Sequence, residues 1–107
     1  EKGHPWDMGK GFDQSAVCSE IHPVAEVGHP SSGRIWLKVN GEIRQDGDLS
    51  DMGWKVADII ANLSTMVKLE AGDLIYTGTP AGVGPLLVGD QLEAGVAGVG
   101  TLSARIV

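Results

Sequence analysis

An asparagine–glycine pair between two strand-like runs constrains the fold of this chain more than any other feature. Residues 34–39 (Arg-Ile-Trp-Leu-Lys-Val) and 42–45 (Glu-Ile-Arg-Gln) flank Asn40 and Gly41. A type I′ turn needs φ > 0 at both central positions, which asparagine and glycine tolerate, and its twist matches that of paired strands. The pattern therefore predicts a β-hairpin. Its apolar residues fall on both faces, so we expect packing on two sides: Ile35, Leu37 and Val39 on one face, Trp36 and Ile43 on the other.

Apolar residues recur at helical spacing after the hairpin, and they predict a helix from about Ala57 to Met66 with its apolar stripe in the core. Beyond the Gly89-Asp90 turn, residues 91–97 and 101–107 are expected to form a closing pair of strands. These elements together predict an α+β domain that is mostly β, with one short helix.

Composition narrows the class of protein. A chain of 107 residues is at most one domain with a small core, and its 16 glycines favour many short strands over long helices. A net charge of −6 and a pI near 4.8 argue against nucleic acid or an anionic membrane as a partner. The single cysteine, Cys18, excludes an internal disulfide, and it favours a cytoplasmic location. We expect its thiol to be buried or partly buried.

The stretch after residues 74–76 combines glycine and threonine in an unusual way. Leu-Ile-Tyr at 74–76 predicts a short buried strand, and Thr77–Gly84 then holds three glycines, two threonines, one proline and no charge. Glycine allows backbone N–H groups to approach a ligand closely, and threonine offers a donor and an acceptor. Such a loop can hold a small anionic or carbonyl ligand. The alternative is a tight turn whose glycines only satisfy φ > 0.

Other polar residues carry weaker signals. His22 and His29 lie seven residues apart without a metal-ligand pattern, so we expect surface or packing roles. Asp46, Asp48 and Asp51 do not fit a calcium loop, because Asp51 occupies the sixth position where glycine is required. We interpret the three aspartates as turn residues.

Several spaced motifs resemble the fumarylacetoacetate hydrolase family, and among its subfamilies the fumarylpyruvate hydrolases of gentisate breakdown. The resemblance covers nearly the whole chain and no single motif carries it. The matching segments are Lys10–Asp13 (Lys-Gly-Phe-Asp), Val39–Glu42, Tyr76–Gly84, Gly89–Glu93 and Gly98–Leu102.

The resemblance implies a fold, a reaction and site residues. The fold would be the C-terminal part of the family's mixed β-sandwich or roll, and the reaction would be cleavage of a carbon–carbon bond in acylpyruvates. Lys10 matches the family lysine beside metal and substrate and is the catalytic candidate, which we expect on a loop or strand entry because Gly9 and Gly11 flank it. Thr79 matches the threonine that binds the acid end of the substrate, with Gly78 beside it. Gln14 stands where the family often has threonine.

The resemblance also implies a divalent metal, Mg or Mn, held by a Glu-x-Glu pair and an aspartate that precede the Lys-x-Phe-Asp segment. This chain contains no metal ligands of that set, so we interpret residues 1–107 as the C-terminal portion of a longer catalytic domain. The partners implied are a small dicarbonyl acid as substrate and a second copy in a homodimer. Two alternatives stay open: a non-catalytic truncated domain, and an isomerase or decarboxylase of the same fold.

Overall fold

The computed structural model describes Gly3 and residues 9–107, and its centre is a four-stranded antiparallel sheet with strand order β2-β1-β3-β4. A single-turn helix, a 3-10 turn and a longer helix accompany the sheet. In chain order the elements are α1 (Val24–Val27), β1 (Arg34–Val39), β2 (Glu42–Asp48), the 3-10 turn (Leu49–Asp51), α2 (Val56–Ser64), β3 (Gln91–Val96) and β4 (Gly100–Arg105). The expectation of a mostly-β α+β domain is confirmed.

The predicted hairpin is present as β1 and β2. Asn40 and Gly41 have φ of 51° and 82°, as a type I′ turn requires. The pairing is irregular at one point: Lys38 lies opposite Ile43, but Leu37 lies opposite Gln45. Arg44 is therefore an extra residue, a β-bulge, and it changes which face of the sheet Gln45 occupies.

The predicted closing strands are confirmed as β3 and β4. Strand β3 pairs with β1 as well as with β4, which joins the two hairpins into one sheet. Asn40 fastens this junction, because its amide nitrogen donates to Asp90 Oδ1 at 2.9 Å and its Oδ1 accepts from the Gln91 backbone N–H at 2.9 Å. One turn residue thus serves the hairpin and the long-range pairing.

The two faces of the sheet differ in polarity. One face carries the aliphatic residues that lie opposite one another in β1 and β3, and it is called the aliphatic face below. Val39 is buried on this face, with 4% of its surface exposed. On the other face the Trp36 ring lies over Gly95, and Lys38 Nζ lies 5.2 Å from the centre of that ring. Ile43 on this second face is 45% exposed, so this face is only partly covered by the described residues.

Helix α2 has nearly the predicted bounds, but its apolar stripe does not lie in a core. Ile60 is 42% exposed, and Met66 and Val67 beyond the helix are 66% and 51% exposed. Helical spacing places apolar groups on one side, whereas burial needs a second element facing that side. Among the described residues no side chain is fully buried. None of the helices described is long and apolar enough to cross a membrane.

Two further predictions were wrong. Residues 74–76 form no strand, and Leu74 and Tyr76 are 55% and 60% exposed. A strand requires a hydrogen-bonded neighbour, and no described residue pairs with this segment. The Cys18 thiol is exposed instead of buried.

Candidate functional site

The Gly/Thr loop, residues 77–84, lies against β2 at two glycines. A Cβ atom at Gly82 would collide with the carbonyl oxygen of Arg44, and Gly82 has φ of 102°. A Cβ atom at Gly47 would lie 3.2 Å from Pro80 Cβ. The bulge residue Arg44 thus provides the backbone that Gly82 touches, and only glycine permits this approach.

Gln45 connects the same loop to the sheet by hydrogen bonds. Its Nε2 donates to Thr79 Oγ1 at 2.8 Å and to the Pro80 carbonyl oxygen at 2.7 Å. Gln45 is only 9% exposed and lies opposite Leu37, on the aliphatic face. A buried amide needs such partners, because an unpaired polar group in an apolar setting is costly.

Gly78 and Thr79 line a cavity of about 310 Å³ that is otherwise largely apolar. The aliphatic face of the sheet forms its floor through residues that include Ile35, Val96 and Leu102. None of the described residues that line it has a carboxylate, so no acidic side chain among them would repel a ligand with negative charge. A second cavity, about 480 Å³, is also lined by Gly78 and Thr79, but Asp48 and Asp51 line it as well and would repel an anion.

His22 also lines the first cavity, and motif reasoning assigned it no role there. Its Nδ1 lies 3.9 Å from Glu26 Oε2, and a Cβ atom at Gly100 would lie 3.3 Å from its Nε2. The histidine is half-buried, which fits the packing role expected for it. Its position against Gly100 of β4 is a tertiary contact that the spacing of histidines along the chain could not indicate.

Lys10 is helical and exposed, not on a loop or strand entry as its flanking glycines predicted. Glycine lowers helix propensity by about 1 kcal/mol but does not forbid a helix. Lys10 lines none of the three cavities that Thr79 lines. The described residues thus bring Gly78 and Thr79 together with Gln45, and the catalytic role of Lys10 stays a prediction. Gln14 has a left-handed backbone with φ of 63°.

The aspartates near the hairpin have structural partners. Asp46 lies within β2, not in a turn as predicted, and receives 2.7 and 3.0 Å hydrogen bonds from Arg34, which lower the pKa of Asp46. Asp48 is the N-cap of the 3-10 turn. Hydrogen bonds from the side chain and backbone of Ser50, and then from the Gly33 N–H, hold its pKa below the usual value.

Asp90 shows the same use of a carboxylate. The Leu87 N–H and then the Asn40 amide donate to it, and both lower its pKa.

No group of three or more potential metal ligands occurs within Gly3 and residues 9–107. The donor set in this part of the chain therefore does not fit a divalent metal centre.

Comparison with known proteins gives the family. The profile described as "Fumarylacetoacetate (FAA) hydrolase C-terminal" matches residues 1–107. The chain belongs to the fumarylacetoacetate hydrolase family, as its motifs predicted.

Similar proteins within the family carry out different reactions. The chain is 44% identical over 106 residues to a fumarylpyruvate hydrolase of Ralstonia sp, covering 99% of this chain and 55% of that protein. It is 43% identical over 106 residues to the mitochondrial oxaloacetate tautomerase FAHD1 of Mus musculus, covering 99% and 48%. The chain thus spans about half the length of the curated relatives it matches.

Solved structures support the same fold. The crystal structure of fumarylpyruvate hydrolase from Pseudomonas aeruginosa in complex with Mn²⁺ and pyruvate superposes with a TM-score of 0.93 at 43% identity. The match covers 98% of this chain and 45% of that protein. That Pseudomonas aeruginosa enzyme therefore binds a divalent metal and a small 2-oxo acid.

Proposed function

We propose that this chain is the C-terminal portion of a metal-dependent acylpyruvate hydrolase that converts fumarylpyruvate to fumarate and pyruvate. The observation that carries the proposal is the Gly/Thr loop, which presents Gly78 and Thr79 to a cavity with no carboxylate among its described lining residues. Similarity to the Ralstonia fumarylpyruvate hydrolase supports the choice of substrate.

In the proposed reaction, the oxygen of water bonds to the carbonyl carbon on the fumaryl side. The carbon–carbon bond then breaks, its electron pair becomes the enolate of pyruvate, and a proton on carbon completes the second product. Thr79 donates its hydroxyl hydrogen to the carboxylate of the substrate, with Gly78 leaving room for that group. Lys10 provides positive charge for the oxygen that becomes anionic, an effect that is large where water is excluded.

The metal, Mg or Mn, is assigned to residues outside this chain, because the described carboxylates do not form a ligand set. Mn²⁺ in the Pseudomonas aeruginosa enzyme supports the presence of a divalent metal. We also propose a cytoplasmic homodimer. Exposed apolar side chains such as Ile60 and Met66 support an assembly in which further protein covers them.

A tautomerase is the second candidate, and it is favoured by the 43% identity to the Mus musculus oxaloacetate tautomerase. Moving a proton between enol and keto forms also needs an enolate-stabilising cation and a carboxylate-binding donor. Lys10 and Thr79 would keep the same roles, and the carbon–carbon bond would stay intact.

The two candidates separate in one assay of the complete gene product loaded with Mn²⁺. Incubation with fumarylpyruvate, followed by NMR, should show equal amounts of fumarate and pyruvate. Incubation with enol-oxaloacetate should show ketonisation no faster than the buffer rate. The reverse pattern would replace the hydrolase with the tautomerase, and no activity on either substrate would favour the non-catalytic domain.

A further inference from the structure

Gln45 is a polar side chain on the aliphatic face of the sheet. In a regular hairpin Gln45 would lie opposite Trp36, on the other face, but the bulge at Arg44 places it opposite Leu37. With 9% of its surface exposed, it is buried directly beneath the Gly/Thr loop. The sheet therefore departs from regular pairing at the position that brings an amide to Thr79.

The hydrogen bonds fix which way this amide faces. The Pro80 carbonyl oxygen can only accept, so the atom 2.7 Å from it must be the amide nitrogen. The same nitrogen lies 2.8 Å from Thr79 Oγ1. Each of its two hydrogens thus has one acceptor, and Thr79 Oγ1 is the acceptor of the second.

A hydroxyl that accepts in this way still has one hydrogen to donate. Gln45 Nε2 has no lone pair to receive that hydrogen, so it is directed elsewhere. Thr79 lines three cavities, and among them the cavity of about 310 Å³ is the one that Gly78 also lines and that has no carboxylate among its described lining residues. We propose that Gln45 is a positioning residue that makes the Thr79 hydroxyl a donor toward the cavity. The loop then selects ligands with an acceptor oxygen, such as the carboxylate of a 2-oxo acid.

This inference rests on the proposed function, since it assigns the carboxylate end of the substrate to Thr79. It differs from a role in loop stability alone. If Gln45 only fastened the loop, its loss would lower the fraction of active protein and thus kcat. If it orients the hydroxyl, its loss raises KM and leaves kcat at saturating substrate nearly unchanged.

The test is a double-mutant cycle in the complete gene product with Mn²⁺, and its readout is the Kd of pyruvate. Gln45→Met keeps the length of the side chain and removes both donors. We expect it to weaken pyruvate binding about fivefold, and Thr79→Val to weaken it about tenfold, as hydrogen bonds to charged groups do. The double variant should bind no more weakly than Thr79→Val, because Gln45 acts through the hydroxyl that this variant lacks.

Two variants serve as controls. Thr79→Ser retains a hydroxyl, so Gln45→Met should again weaken binding about fivefold in that background. Gln91→Met removes an amide at an exposed position of β3 and should leave the Kd unchanged. Additive effects of Gln45→Met and Thr79→Val, or a lowered kcat with unchanged KM, would overturn the proposal.

A second measurement covers the case in which Gln45→Met fails to fold. In the wild type, the side-chain ¹⁵N signal of Gln45 should shift on addition of pyruvate, and in Thr79→Val it should not. An unshifted wild-type signal at saturating pyruvate contradicts the inference. If the effects of Gln45→Met and Thr79→Val on the Kd of pyruvate are non-additive but fumarylpyruvate is not cleaved, the hydrolase function is rejected and Gln45 remains a positioning residue. If fumarylpyruvate is cleaved but the effects of the two mutations are additive, the hydrolase function stands and the positioning role of Gln45 is rejected. If pyruvate does not bind, both claims are rejected.

Discussion

The four-stranded sheet and the Gly/Thr loop are stabilised in different ways. Every strand of the sheet has a hydrogen-bonded neighbour, and backbone bonds in a defined register hold β1 to β2 and β3, and β3 to β4. Residues 65–90, which include the Gly/Thr loop, contain no helix or strand. The loop is held by two bonds from Gln45 and by the close approach of Gly82 to Arg44.

The difference shows how much a single side chain matters in each region. A strand shares its stabilisation among many backbone bonds, so most substitutions there affect packing on one face. The loop depends on few contacts, so one atom in the wrong place can displace the donor that faces the ligand. Binding residues on loops that a rigid element positions are common for this reason.

The largest effect is expected at Lys10, outside both regions. In the complete gene product, Lys10→Met should lower kcat on fumarylpyruvate roughly a hundredfold, the usual consequence of losing one oxyanion-stabilising donor. Lys68→Met is the matched control, because that lysine is 86% exposed and pairs with Glu70 at 2.9 Å. Wild-type kcat for Lys10→Met in steady-state kinetics would remove Lys10 from the site.

The second-largest effect is expected on the packing of the Gly/Thr loop against β2. Gly82→Ala introduces a Cβ atom against the Arg44 carbonyl at a positive φ, and it should destabilise the docked loop by about 2 kcal/mol. Hydrogen exchange should then accelerate in residues 77–84 but not in β1 or β3. At Gly84 nothing lies within 4 Å of a Cβ atom, so Gly84→Ala should leave exchange unchanged. Equal exchange in both variants would show that the close approach does not hold the loop.

Within the sheet, the corresponding glycine should be more tolerant. A Cβ atom at Gly95 would lie 2.7 Å from the Trp36 ring, but that ring is on a half-exposed face and can move outward. Gly95→Ala should therefore cost about 1 kcal/mol in urea unfolding, at the low end for overpacking. The cost should vanish in a Trp36→Leu background. If it persists there, the backbone of β3 and not the ring resists the added methyl group.

The smallest effect is the acid sensitivity that Asp48 confers. Hydrogen bonds from Ser50 and Gly33 lower its pKa in the folded state, so the folded protein binds its proton less readily than the unfolded chain does. The stabilisation is fully present above the unfolded value of about 3.9 and is lost as the pH falls through the lower folded value. Asp48→Asn should therefore lose less stability than the wild type between pH 7 and pH 3.

Urea midpoints at the two pH values measure this difference. Glu42→Gln, which changes an exposed carboxylate at the start of β2, should retain the wild-type change between pH 7 and pH 3. If Asp48→Asn and the wild type lose the same stability, the bonds to Ser50 and Gly33 do not persist in solution.

Local sequence determined the hairpins. Asn40 and Gly41 favour a turn with φ > 0 at both positions, and the strand-like runs on either side of this turn form β1 and β2. Helix α2 followed in the same way from its periodicity, and spaced motifs indicated the family that the comparison confirmed. These features depend on residues close in sequence, or on patterns that are read one segment at a time.

Tertiary structure alone decided which groups are buried and where Gln45 points. The apolar stripe of α2 and residues 74–76 have the composition of buried elements, but burial requires a facing partner, and the described residues cover these segments only in part. Gln45 reaches Thr79 because the bulge at Arg44 shifts the register by one residue, which moves a side chain from one face of a sheet to the other. The packing of the loop on β2 is a contact between residues more than 30 positions apart, and no local pattern encodes it.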